Sequence, residues 1–243
     1  MILDAYLQDP ETEALISDAA LAGAMLEVEA ALARVQGRAD VIPAQAGARI
    51  AEVAAGLVAD LPALARGTVH DGVPIIALLA QLRTAVGEAY GGYVHWGATS
   101  QDIVDTAMIL LLRRATALFS DRLDGLIRAW AVLAAQHRGT VMAARTRSQQ
   151  AVPTTFGLKA AGWLAPLLRQ RLRLQTLPSA SFVLQFGGAG GTLAALGGQG
   201  PALVQDLAEE LDLAAPPMPW HNQRDGIIEF ANWLAMLSGS LGK

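Results

Sequence analysis

The chain has 243 residues, is 53% apolar and only 16% charged, carries a net charge of −4 and contains no cysteine. That length allows one or two domains with a substantial core, and the apolar excess excludes a disordered chain. The acidic balance argues against an electrostatically driven nucleic-acid binder, and the missing thiols exclude disulfides, thiolate nucleophiles and cysteine-ligated zinc.

Met1-Ile2-Leu3-Asp4 offers neither a basic nor an apolar leader region, so no signal peptide is expected and the chain reads as soluble and cytoplasmic. The apolar period is helical almost throughout. A first helix is predicted from about Glu11 to Gln36, ending near Gly37, and a second over Ala44 to Ala59. Asp71-Gly72-Val73-Pro74 reads as the start of a third, with Asp71 near the cap and Pro74 in the first turn, running to Val86. A loop follows from Gly91 to Ala98, and Thr99 or Ser100 can cap the next helix. From Gln101 to His137 there is no proline and one glycine, Gly125, which predicts a helix about 55 Å long. Its first half, Ile103 to Leu112, is apolar nearly all round and must be covered on every side.

Thr140 to Pro153 is polar and irregular, and a further helix is predicted from Thr154 to Thr176, with Pro166 as a kink signal. Leu174 to Gln205 is uncharged and long enough to span a bilayer, but Pro178, Pro201 and the glycines from Gly187 to Gly200 break an uninterrupted membrane helix. The glycine-rich stretch after Pro178 reads instead as a loop flanked by short strands such as Phe182-Val183-Leu184. Pro201 to Leu211 is a shorter helix, and Pro216-Pro217-Met218-Pro219 a rigid linker. A last apolar helix begins near Asn222 and meets no stop signal before Lys243, so the chain reads as cut rather than finished. The apolar surplus then points to subunit contacts.

Three polar clusters stand out. In His95-Trp96-Gly97-Ala98-Thr99-Ser100-Gln101-Asp102 a glycine-containing loop feeds a helix N-terminus. Free N–H groups and the positive dipole end beside two hydroxyls and an imidazole form an anion site in kind. Simple capping by Thr99 or Ser100, with Asp102 in the first turn, explains the same residues. Arg145-Thr146-Arg147-Ser148-Gln149-Gln150, with Thr154, Thr155 and Lys159, gathers three cations and several amides in an otherwise charge-poor stretch, and a solvated loop explains the same residues. In His221-Asn222-Gln223-Arg224-Asp225, capping by Asn222 competes with a functional role. His137, near the end of the long helix, reads as structural. There is no H-E-x-x-H, P-loop or G-x-S-x-G motif. Gly187 to Gly191 lacks the strand and spacing of a dinucleotide loop.

Taken together, the segments are more specific. His95 to Ala107 resembles the first signature of the aspartase/fumarase superfamily, and Arg145 to Lys159 is similar to its second. Gln223-Arg224-Asp225 resembles a segment shared by adenylosuccinate lyases and their lactonising relatives. Leu184-Gln185-Phe186-Gly187-Gly188-Ala189-Gly190-Gly191-Thr192-Leu193-Ala194-Ala195-Leu196-Gly197, and Pro219-Trp220-His221, resemble the 3-carboxy-cis,cis-muconate cycloisomerase branch.

The resemblance implies an all-α fold. A helical N-terminal domain would occupy residues 1–98, and an incomplete long-helix bundle of the fumarase/aspartase type residues 99–243. It implies a homotetramer whose sites each draw on three subunits, a small polycarboxylate substrate, no cofactor, no metal, and no nucleic-acid or membrane partner. The family reaction converts 3-carboxy-cis,cis-muconate to 4-carboxymuconolactone in the β-ketoadipate pathway. His95 and Ser100 are implied as catalytic; Thr99, Ser100, Gln101, Asp102, Arg145, Arg147, Gln149, Lys159, His221 and Arg224 are implied as substrate contacts. Two departures stand against this. Arg147 occupies a place where the superfamily often carries a histidine, and the third signature, a flexible serine loop, is absent. The chain therefore resembles an N-terminal fragment, expected to be inactive alone. An adenylosuccinate-lyase-like β-elimination, mildly favoured by His70-Asp71, and a helical assembly protein without chemistry are the alternatives.

Overall fold

A computed structural model of the chain describes residues 8–242, apart from the side chains of residues 178–180. The expectations for Met1-Ile2-Leu3-Asp4, and for the last helix reaching Lys243, lie outside the described residues. The fold is helical, with one small two-stranded sheet among the described residues. The helices are α1 (Pro10–Ile16), α2 (Asp18–Arg38), α3 (Ala44–Gly56), α4 (Leu61–Asp71), α5 (Ile75–Val86), α6 (Ser100–Gln136), α7 (Phe156–Ser181), α8 (Gly200–Glu210) and α9 (Asp225–Leu241). Strands β1 (Val141–Thr146) and β2 (Gln149–Thr155) lie between α6 and α7. Among the described residues no helix is long and apolar enough to cross a membrane.

Local chemistry explains where the boundaries differ from the sequence reading. The first predicted helix is two, because Ser17 adopts an extended conformation and its hydroxyl accepts from Ala20 N–H at 3.2 Å, capping α2. Asp71 does not start a helix. It ends α4, which begins behind the Asp60 cap and stops at the left-handed Gly72 (φ 76°), and Pro74 is the N-cap of α5. The segment expected to be irregular is a hairpin, Val141 pairing with Thr155 and Thr146 with Gln149. Both of its turn residues, Arg147 (φ 44°) and Ser148 (φ 64°), are left-handed without being glycine, so the usual sequence signal of such a turn is missing. Most of its residues are exposed and none is buried, so no apolar face marks either strand in the sequence. The expected strand at Phe182 to Leu184 reduces to one parallel bridge, Val183 to Ala214.

The chain divides into two compact units. One comprises Met1–Ala115 and Phe182–Arg224, the other Thr116–Ser181 and Asp225–Lys243. This differs from a single division after residue 98, because the segment after α7 returns to the first turns of α6. In the first unit α2 is central and buried on most sides, through Ala24, Met25, Val28, Ala31, Leu32 and Val35. Its closest neighbour is α3: a Cβ on Gly47 would meet the Ala33 carbonyl oxygen at 2.5 Å, so glycine there permits the helices to approach. The first half of α6 is covered as its composition requires, with Ile103, Ala107, Ile109, Leu110 and Leu111 buried. In the second unit α7 and α9 pack around Leu167, Leu174, Phe230 and Trp233. Trp233 Nε1 donates to the Gln170 carbonyl at 3.1 Å.

Candidate functional site

Asp102, in the first turn of α6, is fully buried and accepts from five donors. Oδ1 takes Gln185 Nε2 (3.0 Å), Gly187 N–H (3.0 Å) and His221 Nε2 (3.1 Å); Oδ2 takes Gly188 N–H (2.8 Å) and Thr99 N–H (3.1 Å). One carboxylate thus ties three loops to the start of one helix. One turn on, Thr106 Oγ1 accepts from Gln185 N–H (3.0 Å) and donates to its carbonyl (2.9 Å). Gln185 Oε1 accepts from Trp220 N–H at 2.7 Å.

A second layer is charged. Arg224 forks onto Asp105 at 2.5 and 2.9 Å and lies 5.1 Å over the Trp220 ring. The Asp105 hydrogen bond, opposed by burial and aided by its charge, raises the Arg224 pKa and holds the guanidinium protonated. Gln101 Nε2 donates to Asp105 (3.0 Å) and to the His221 carbonyl (2.9 Å). Engagement of residues 220–224 here explains why α9 begins at Asp225 rather than Asn222. Asp102, Gln101 and Arg224, expected to touch substrate, therefore commit these polar groups to the frame. Asp102 in particular has no accessible oxygen to offer a ligand.

The 95–100 segment rests on this frame. His95 is left-handed (φ 68°), and its Nδ1 lies 2.6 Å from Glu29 Oε1 on α2. Gln36 Nε2 donates to the Trp96 carbonyl at 2.7 Å. Gly97 is also left-handed (φ 72°), and a Cβ there would meet Leu196 at 2.7 Å. The Gly97 carbonyl lies 3.0 Å from where a Cβ on Gly188 would be, so the glycine-rich loop passes directly over it. Thr99 and Ser100 are half-buried, and among the described residues neither hydroxyl has a protein partner. Thr99 N–H and His221 Nε2 thus meet on the Asp102 carboxylate, next to Ser100 at the start of α6, while the His95 ring is turned to Glu29.

The second cluster belongs to the other unit. Arg145, Arg147 and Gln149 are exposed on the hairpin, and Lys159 in α7 lies 5.2 Å over the Trp163 ring. His137, just past α6, contacts Thr140 Oγ1 at 3.1 Å and packs edge-on against Phe156. His70 is exposed. Among the described residues no group of three or more His, Asp or Glu could hold a metal ion. Sequence reasoning missed Glu29, Asp105, Thr106 and Gln185. Glu29 and Thr106 were detectable as polar residues within apolar helical runs.

A model of the lyase family matches residues 4–243. The chain is 48% identical, over 90% of its length and 49% of the relative's, to the 3-carboxy-cis,cis-muconate cycloisomerase of Bradyrhizobium diazoefficiens. It is 45% identical, over 100% of its length and 53% of the relative's, to the enzyme of that name from Pseudomonas aeruginosa. It matches the crystal structure of 3-carboxy-cis,cis-muconate lactonizing enzyme from Pseudomonas putida with a TM-score of 0.96 and 41% identity, over 99% of this chain and 56% of that one. The chain spans about half the length of the curated relatives it matches. With the sequence match running from residue 4 to residue 243 and the fold shared along the chain, this protein belongs to the lyase family, whose structural neighbours are of the fumarase type.

Proposed function

We propose that this chain supplies the Thr99–Ser100 part of the active site of a 3-carboxy-cis,cis-muconate cycloisomerase, acting as a cytoplasmic homotetramer without a cofactor. The observation that carries the reading is the pair of unpartnered hydroxyls at the start of α6, on a frame built by buried Asp102. Identity of 48% and 45% to two cycloisomerases supports the choice of substrate.

The reaction is an isomerisation. A substrate carboxylate oxygen bonds to one carbon of a double bond, the π pair moves toward the neighbouring carbon, and that carbon takes up a proton. Until the proton arrives, negative charge accumulates on the carboxylate conjugated to that carbon, so preorganised donors supply most of the stabilisation. Thr99 and Ser100 bind this carboxylate. His95 orients the substrate or relays the proton, a task suited to an imidazole near neutrality. Arg145 and Gln149 of another subunit of the tetramer hold a second carboxylate, with that subunit's Arg147 and Lys159, and His221, as further donors to a trianion.

The test follows diene absorbance on a protein spanning the relatives' full length. Ser100→Ala is expected to lower turnover about 100-fold or more, and unchanged kinetics would remove Ser100 from the mechanism. A protein that ignored carboxymuconate but cleaved adenylosuccinate would replace this reading with the β-elimination. The 243 residues alone, spanning about half of the relatives, are expected to lactonise nothing.

A further inference from the structure

We propose that Glu29 is the positioning residue for His95: it accepts a hydrogen bond from Nδ1–H and leaves Nε2 facing the site as the nitrogen that takes up and passes on a proton. The inference rests on the reading of His95 as part of the site. Helix α2 buries only two polar side chains, Glu29 and Gln36, each 1% exposed. They are two turns apart on one face, and both reach the same short segment, Glu29 to the His95 ring and Gln36 to the Trp96 carbonyl. A third bond, Arg83 Nη2 to the Val94 carbonyl (3.3 Å), fixes the residue before. The helix thus directs both of its buried polar side chains at the segment that carries one imidazole.

The backbone supports the same conclusion. A left-handed histidine is strained, and strain of this kind persists only where the surroundings over-determine it. The ring shows which nitrogen is meant for use. Nδ1 is 2.6 Å from a buried carboxyl oxygen, whereas Nε2 has no protein hydrogen bond among the described residues and is not among the buried unpartnered atoms. A carboxylate oxygen accepts, so the ring nitrogen that faces it at this distance is the donor. Glu29 Oε2 is buried without a partner, so all of this carboxylate's hydrogen bonding goes to His95.

The tautomer decides the question without substrate. The chain has four histidines, so a long-range proton–nitrogen correlation on histidine-labelled protein resolves each ring, with His95 assigned from a His95→Gln variant. Above the imidazole range, His95 is expected as the Nδ1–H tautomer. Glu29→Leu, which leaves Nδ1 without its acceptor, is expected to switch it to Nε2–H, while the other three rings stay unchanged. Nε2–H in the wild type, or Nδ1–H retained in Glu29→Leu, overturns the proposal; the wild-type spectrum alone suffices if the variant does not fold. In a protein spanning the relatives' length, Glu29→Gln is expected to lower kcat about 10- to 100-fold with little change in KM. A KM effect alone overturns the positioning role. The expected tautomer in a protein without lactonisation instead removes the proposed function and leaves the Glu29–His95 pairing standing.

Discussion

Asp102 shows how one buried residue can hold several chain segments together. A buried carboxylate is stable only when its oxygens are satisfied, and here five donors arrive from the helix start, the glycine-rich loop and the His221 segment. Asp102→Ala leaves those donors facing an apolar gap, and is expected to cost about 3–5 kcal/mol in urea denaturation. Asp102→Asn should cost less, since its carbonyl oxygen still accepts while its amide opposes N–H donors. A loss below 1 kcal/mol in Asp102→Ala would show that the loops hold themselves. Gly97→Ala tests the neighbouring contact: it strains a left-handed position and pushes a methyl into Leu196, so a lower melting temperature is expected.

At the level of elements, α8 is tied to α2 by Glu210, which receives Arg34 Nε (2.6 Å) and Arg38 Nη2 (2.8 Å). Burial pushes the Glu210 carboxyl up, but the two arginine hydrogen bonds and charges outweigh it, and the pKa falls below the ordinary 4.5. A depressed folded pKa contributes stability in full above the ordinary value, and that contribution is lost as pH falls through the lower, folded value. Glu210→Gln is expected to be about 1 kcal/mol less stable at neutral pH, the arginines being partly exposed. It should also lose this part of the acid sensitivity below pH 4.5; an identical pH profile in both proteins would dissociate Glu210 from acid unfolding. The hairpin offers the opposite test. Ser148 is left-handed at φ 64°, so Ser148→Gly is expected to raise stability by about 0.5–1 kcal/mol. A fall would show that the serine side chain contributes more than the strain costs.

At the level of the whole molecule, the apolar surplus is only partly buried. In the second unit Val132, Leu158 and Leu172 are 63–67% exposed, and Ile228, Met236 and Leu241 are exposed along α9. Surface of this kind belongs against other chains or other segments. The 243-residue chain is therefore expected to sediment as an oligomer, and a clean monomer at high micromolar concentration would weigh against the tetramer.

Helix type, the buried first half of α6, the glycine-rich loop and the family signatures could all be read from residue order, because apolar period and short motifs are local properties. The sequence by itself thus determined a helical lyase-family chain. What only the tertiary structure decided was partnership. Asp102, Gln101 and Arg224 look like ligand contacts in one dimension, yet they meet partners 83 to 120 residues away. Glu29 lies 66 residues from the histidine it holds. Burial and hydrogen bonding between such distant residues arise when the chain closes on itself, so no local pattern separates a residue that binds a ligand from one that builds the place where it binds.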